Sequence, residues 1–286
     1  MKNYLEKEHY VPCIADVDVL VCGSGPAGIG AALRAAEMGV SVMIVEMGGC
    51  LGGIATAGMM SNWGGRSSSK IMQEIFKRSY EIDSEHMRID NGKPDLTAIP
   101  HDLQMIVLEE MMKEANVEIL YYTMVCDAVV EDDRIVGVTV QNKSGKGFIK
   151  AKCVVDSTGD GDVAASACVP YFKGRETDGK MQPCTIMFKI GGVDYERAVF
   201  PRSFETLVET EKGELQSLAK KLLPFPAGHV LLYQQPEPDP VCVNMTNAIG
   251  IDGTDAKSVT EGILTCRSQI MPIICFLRSR FSLYVS

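Results

Sequence analysis

Val17-Asp18-Val19-Leu20-Val21-Cys22-Gly23-Ser24-Gly25-Pro26-Ala27-Gly28, followed by Val42-Met43-Ile44-Val45-Glu46, decides the fold. The first stretch starts as an apolar, β-branched run and predicts a strand. Gly23 lets the chain turn sharply out of that strand. Gly25 carries no Cβ, so backbone can approach a ligand closely, and Gly28 lets the following helix pack tightly on the strand. Ala31, Ala32, Leu33, Ala35 and Ala36 are helix formers, and Gly39 is placed to end the helix. A second apolar strand then runs to an acid, Glu46. Strand, glycine turn, helix, strand and terminal acid together predict a grip for the ADP half of a dinucleotide.

Each part has a physical task. The helix N-terminus aims unpaired N–H groups and its positive dipole end at phosphate oxygens. Glu46 lies about twenty residues past the loop, where a carboxylate accepts from a ribose hydroxyl. An acid there repels a 2′-phosphate, so NADP is disfavoured. A GxGxxG alone is a weak signal; here it leaves an apolar strand, opens a helix and has its acid in place.

The chain has 286 residues, room for about two domains, and its 46% hydrophobic content supplies a sizeable core. A net charge of −9 argues against nucleic acid or an anionic membrane as partner. No apolar run approaches the roughly 20 residues of a membrane span. The start, Met1-Lys2-Asn3-Tyr4-Leu5-Glu6-Lys7-Glu8, lacks an apolar signal core, and a cytoplasmic protein is expected. The ten cysteines (Cys13, Cys22, Cys50, Cys126, Cys153, Cys168, Cys184, Cys242, Cys266 and Cys275) form no CxxC pair. In a reducing compartment most of them read as small buried hydrophobes, and no metal site is expected.

Residues 1–15 read as an arm before the first strand. Gly48 to Gly58 holds five glycines in eleven residues and predicts an ordered loop close to something flat or charged. Lys70–Ile82 and His101–Ala115 carry helical apolar spacing, and Asn116 is placed to end the second in a left-handed conformation. Val117–Tyr122, Val125–Val130, Ile135–Gln141 and Gly147–Ala151 read as a β-meander. Lys152 to Asp156 reads as a further strand running into Ser157-Thr158-Gly159-Asp160-Gly161-Asp162, with helix formers Ala164, Ala165 and Ala167 beyond. Past Pro170 the chain predicts a mixed α+β unit: strands in Met181–Ile190, Val230–Tyr233 and Val241–Met245, and a helix near Ser203–Leu222. The division expected is 1–169, cofactor domain; 170–255, substrate domain; and 256–286, a helix leading onward. The fold class is α/β: a Rossmann-like domain, with a parallel sheet plus three-stranded β-meander, joined to a smaller α+β domain.

Gly23-x-Gly25-x-x-Gly28 through Glu46, Gly48-Gly49-x-x-Gly52-Gly53-x-Ala55-Thr56, and Val154-Val155-Asp156-Ser157-Thr158-Gly159-Asp160-Gly161-Asp162 together resemble the FAD-dependent oxidoreductases of the glutathione-reductase-like two-domain fold, relatives of fumarate reductase and succinate dehydrogenase flavoproteins. Met181-Gln182-Pro183 adds a weaker match, and the resemblance spans about residues 16 to 275. It implies FAD as cofactor. Gly23, Gly25, Pro26, Ala27 and Gly28 would face the pyrophosphate, and Glu46 with Met47 the adenosine ribose. Gly52 and Gly53 would run beside the pyrophosphate or flavin. Val125 would meet adenine, and Thr158, Gly159 and Asp162 would lie near the dinucleotide. Such enzymes return after the substrate domain to a glycine-containing strand–helix pair over the flavin; this sequence stops at Ser286 before one, which marks it as C-terminally truncated relative to that pattern.

The flavin carries the redox chemistry in such proteins, so the catalytic residues stay unassigned. Cys50 is the sharpest candidate, being in the second glycine loop. The disulfide reductases of this fold use a CxxxxC pair, and the second position here is Ala55. His101, Arg66, Arg175 and Arg202 are candidates for proton transfer or for holding an anionic substrate, each weighed against a plain surface role. Asp160 and Asp162 read as helix-start anchors. The expected function is hydride transfer between a small organic substrate and flavin. The alternatives are a dinucleotide-binding fragment without activity of its own, or an NAD-linked dehydrogenase. A homo-oligomer is compatible with the sequence, which does not fix the oligomeric state.

Overall fold

The long strand β1 (Cys13–Cys22) is the element around which the cofactor half of the chain is ordered. In a computed structural model, the structure describes residues 8–60, 69–84, 89–90, 93–94, 99–201, 203–235 and 240–281. After β1 come α1 (Pro26–Ala36), β2 (Val42–Val45), a 3-10 turn (Gly53–Ala55), α2 (Lys70–Ile82), β3 (Ile89–Asp90), β4 (Lys93–Pro94) and α3 (His101–Glu114). Then follow β5 (Glu118–Leu120), β6 (Met124–Glu131), β7 (Arg134–Asn142), β8 (Gly145–Asp156) and α4 (Asp162–Ser166). The remainder holds β9 (Phe188–Ile190), β10 (Glu209–Thr210), β11 (Gly213–Glu214), α5 (Leu215–Leu222), β12 (Leu232–Gln234), β13 (Val241–Val243) and α6 (Ala256–Phe281). Two compact units result. One combines Met1–Gly53 with Leu108–Tyr171; the other combines Ile54–Val107 with Phe172–Ser286.

The first unit is a six-stranded mixed sheet in the order β5-β2-β1-β8-β7-β6. β5, β2, β1 and β8 run parallel. β7 and β6 continue the sheet as antiparallel neighbours. The order forces curvature. Strands five places apart in a flat sheet lie about 24 Å apart, yet Leu120 of β5 and Met124 of β6 are joined by three residues that span at most about 14 Å. The meander half therefore curls back until both edges meet over the C-terminal ends of the parallel strands. The packing agrees: Val125 and Ala128 of β6 lie against a core of Leu20, Cys22, Met43, Val45, Val138, Ile149 and Val163. Ile29, Ala32 and Leu33 form the buried stripe of α1.

Several sequence expectations change here. The arm before β1 is shorter than 1–15, because Cys13 to Asp16 pair with Phe148 to Lys150 and are drawn into the strand. Gly147–Ala151 and Lys152–Asp156 are one strand, β8, whose first half belongs to the meander and second half to the parallel sheet. The stretch predicted as the first meander strand, Val117–Tyr122, shrinks to β5 and pairs in parallel with β2 instead. Asn116 does take the left-handed conformation, with φ 55°.

In the second unit, β12-β13-β9 form a small antiparallel sheet. Its residues Ile190, Leu232, Val241 and Val243 share a core with Leu215 and Ala219 of α5 and with Ile273, Phe276 and Leu277 of α6. The strand expected over Met181–Ile190 narrows to β9. The helix expected near Ser203–Leu222 narrows to α5, because the preceding residues form the β10–β11 hairpin. Glu214 then caps α5, its carboxylate accepting from the N–H groups of Gln216 and Ser217.

Ion pairs link β1 to β8 on the exposed surface of the first sheet. Asp16 opposes Lys150 with an N···O distance of 2.9 Å. Asp18 accepts from Lys152 Nζ at 2.6 Å and from Ser41 N and Oγ at 2.8 and 2.7 Å, so it ties β8, β1 and the start of β2. The Lys152 ammonium, aided by the two Ser41 donors, holds the Asp18 carboxyl well below the usual carboxylate range. A depressed folded pKa contributes stability above the unfolded value of about 4, and that contribution is lost as pH falls toward the folded value. Asp18→Asn is thus expected to be less stable than the parent chain near neutral pH. Denaturant unfolding from pH 7 to pH 3 should show the gap between the two closing below about pH 4.

Candidate dinucleotide-binding site

β1 ends at Cys22, and Gly23 leaves it with φ 94°, a left-handed value that side chains resist. A Cβ on Gly23 would also stand 2.3 Å from the Ser157 carbonyl oxygen. The Gly23 N–H donates to Val45 O at 2.9 Å, and Ser157 N–H donates to Cys22 O at 2.8 Å, so the ends of β2, β1 and β8 converge on this turn. A Cβ on Gly28 would lie 2.0 Å from Gly23 O. The helix therefore sits directly on the turn, as the spacing predicts.

Gly25 differs. It is the N-cap of α1, with extended backbone, and a Cβ there would meet nothing within 4 Å. No side chain caps α1, its first turn holds no acid, and Pro26 stands at its start. Pro26 has no N–H to satisfy, and the amides of Ala27 and Gly28 lie in the first turn, where the helix offers them no acceptor. This is an anion-binding helix start with a bare backbone in front of it.

The second glycine loop is bolted to the first. Gly52 N–H donates to Ser24 O at 2.8 Å, and a Cβ on Gly53 would lie 2.9 Å from Gly25 Cα. Glu46 braces both loops: Oε2 accepts from Ser24 N at 2.9 Å and Ser24 Oγ at 2.5 Å, while Oε1 accepts from Gly48 N at 2.6 Å. A carboxylate has about four acceptor positions, so one remains for a ribose hydroxyl. This bracing role of Glu46 was not legible from its position as a strand-terminal acid.

Gly23, Glu46, Met47, Val125, Thr158 and Asp162 line one cleft together with Val45, Thr123 and Met124. Thr158 is held by Asp156: its N–H and Oγ donate to Asp156 Oδ1 at 3.2 and 2.7 Å, and its Oγ accepts from Asp162 N at 3.0 Å. Asp156 Oδ2 also accepts from Ala164 N at 2.9 Å, which fixes the start of α4. Ser157 Oγ lies 2.9 Å from Cys22 O and 2.8 Å from Gly23 O, both acceptors. Thr123, Met124, Ser24, Asp156 and Ser157 were missed as site residues. The Asp-Ser-Thr run at the end of β8 was a usable signal for the last two; Thr123 and Met124 come to the cleft through the curl of the sheet.

Gly159, with φ 98°, turns the chain beside Thr158, and like Gly25, Pro26, Ala27, Gly28, Gly52 and Gly53 it is not among the residues that line this cleft. Cys50 is half-buried beside Tyr121, away from the cleft lining. His101 is buried at the start of α3, its ring 3.4 Å from Asp102, in the other unit. Arg175 is exposed and paired with Asp178 at 2.9 and 2.6 Å. Arg66 and Arg202 lie outside the described residues. The expectation that most cysteines are buried is corrected: Cys22, Cys242 and Cys266 are buried, and six others are exposed, several on outward strand positions. Burial, with Asp156 nearby, pushes the Cys22 thiol up to about 12 and makes it inert. Among the described residues no cluster of acids, histidines and cysteines is arranged for a metal ion, and no helix is long and apolar enough to cross a membrane.

A parallel sheet whose strand ends carry a glycine turn, an uncapped helix start and a bracing acid defines a dinucleotide-binding α/β protein. The chain belongs to the FAD dependent oxidoreductase family, whose model matches residues 18–283. Its cofactor is FAD. The chain is 34% identical to thiamine thiazole synthase of Aeropyrum pernix over 153 residues, 50% of this chain and 54% of that protein. It is 35% identical to soluble pyridine nucleotide transhydrogenase of Chromohalobacter salexigens over 91 residues, 32% of this chain and 18% of that one. A geranylgeranyl bacteriochlorophyll reductase-like protein of Thermoplasma acidophilum shares the fold with a TM-score of 0.51 at 16% identity, over 82% of this chain and 57% of that one. The chain spans about half the length of the thiamine thiazole synthases it matches, 54% to 58%.

Gly25, the N-cap of α1, and Gly28, within its first turn, separate binding from folding. Gly25→Ala places its methyl in open space, so stability should stay within about 0.5 kcal/mol while FAD affinity falls at least about tenfold. Gly28→Ala drives its methyl into Gly23 O and should cost about 1–3 kcal/mol of stability. Denaturant unfolding and fluorescence titration with FAD check the pair.

Proposed function

We propose that this chain holds the ADP half of FAD in the first unit and transfers a hydride between a small organic substrate and the flavin. What supports the reading is the open face of Gly25 against an uncapped, acid-free helix start. That combination offers backbone N–H groups and a positive dipole end to a pyrophosphate without a side chain in the way. Ala27 and Gly28 would donate to the phosphates, Glu46 would use its remaining acceptor position on a ribose hydroxyl, and Val125, Met47 and Thr123 would wall the adenosine end. Thr158, fixed by Asp156, would lie against the same group. When bound, FAD supplies a two-electron acceptor or donor for hydride. The protein's part is to bind it, orient it and exclude water. The likeness to thiamine thiazole synthases covers half of this chain, so it supports the dinucleotide grip and not that activity.

The purified chain should be yellow, and denaturation should release FAD, identified by chromatography. A colourless chain that binds NADH instead would overturn the reading in favour of an NAD-linked protein. Glu46→Gln replaces one accepting oxygen with an amide that cannot accept from Ser24 or Gly48. FAD affinity should then fall roughly tenfold, about 1.4 kcal/mol, as read by titration of the apo-chain.

A further inference from the structure

The second unit contains a cavity of about 350 Å³, within the range that small-molecule sites occupy. Its walls are built from firm pieces. Thr246 Oγ accepts from Ile186 N and donates to Ile186 O, both at 2.8 Å. The backbone of Asn247 is clasped by the buried side chain of Gln269: Asn247 N donates to Gln269 Oε1 and Gln269 Nε2 donates to Asn247 O, both at 2.8 Å. The ring of Phe204 lies against that of His229, centroids 5.1 Å apart.

Two polar atoms in this firm lining are unmet. Asn247 Oδ1 and His229 Nδ1 are buried, and neither has a hydrogen-bond partner. Buried polar atoms are nearly always paired, and leaving one unmet costs stability. Both belong to residues that line the same cavity, and the Gln269 clasp keeps the Asn247 backbone from turning to find relief. Among the described residues no Lys, Arg, Asp or Glu lines the cavity. Burial, with Lys220 nearby, lowers the His229 pKa, so the ring is uncharged at neutral pH. Phe204 and Met245 add apolar wall.

We propose that this cavity binds a small uncharged polyhydroxy compound, a cyclic polyol or monosaccharide, with one hydroxyl donating to Asn247 Oδ1 and another hydrogen-bonded to His229 Nδ1. A hydroxyl both donates and accepts, so it serves either tautomer of His229. The C–H face of a ring compound suits the Phe204 and Met245 wall. A charged ligand would find no countercharge among the described lining residues. That this compound is the redox substrate rests on the function proposed above; its binding does not, because every residue invoked lies in the second unit.

The test uses the full chain without added flavin and three probes: myo-inositol, glucose and the anion gluconate. NMR titration should show saturable shifts of the His229 ring and Asn247 side-chain signals with at least one neutral probe, and gluconate should bind at least tenfold more weakly. Asn247→Leu should lose at least tenfold in that binding while its melting temperature holds or rises by about 2 °C, since the unmet acceptor is gone. His229→Phe should lose binding likewise. The proposal is overturned if no neutral probe binds, if gluconate binds as tightly, or if Asn247→Leu lowers the melting temperature or unfolds the chain. Neutral-probe binding by a chain that takes up no FAD would sink the flavin reading and leave this one standing.

Discussion

Gly23 is the point on which the cofactor unit depends. Its left-handed φ and the Ser157 carbonyl, 2.3 Å from where a Cβ would stand, leave room for hydrogen and nothing larger. Because the turn is this tight, α1 can sit on it through Gly28, and β2 and β8 can both hydrogen-bond to the end of β1. The second glycine loop then seats on the first through Ser24 and Gly25. Glu46 closes the assembly by taking three donors from the two loops. None of these contacts survives independently; a larger residue at the turn would part the helix from the strands and leave the helix amides aimed elsewhere.

The second constraint is topological. Three residues between β5 and β6 cannot bridge a flat six-stranded sheet, so the sheet curls and closes a cleft over its own strand ends. The curl brings Thr123, Met124 and Val125 to face Gly23 and Glu46. The site thus has two sources: a rigid floor set by local glycine geometry, and a wall delivered by sheet connectivity.

That distinction explains what could be read from residues alone. The βαβ fingerprint was legible because each of its parts is local: an apolar strand, glycines at fixed offsets, alanines at helical spacing, an acid at a strand end. α2 was legible to the residue from its apolar spacing, and the left-handed Asn116 from its residue type and place. Apart from Val125, which the family resemblance pointed to, the wall was hidden, because Val117–Tyr122 and Val125–Val130 are consecutive in sequence yet sit at opposite edges of the sheet. Periodicity cannot report that. The bracing by Glu46 and the anchoring of Thr158 by Asp156 were hidden for a related reason: each depends on which way a carboxylate turns after the loops have met. In the second unit the strand expected over Met181–Ile190 shortened to β9, and Pro183, which has no N–H for a ladder, lies in the part that dropped out.

The two units differ in which of their groups lack a partner. In the first, it is a set of backbone donors beside a residue with no side chain, in an otherwise satisfied turn. In the second, it is a pair of buried side-chain atoms with nothing to bond. We propose that the start of α1 grips the phosphates of FAD's ADP half, and the backbone amide signals of Ala27 and Gly28, followed in a ¹H–¹⁵N NMR titration of the apo-chain with ADP and, separately, with adenosine, report on that grip. Saturable shifts of both amides are expected with ADP and little change with adenosine, which lacks the phosphates. Equal shifts with both compounds, or ADP-induced shifts that leave Ala27 and Gly28 untouched, would contradict it.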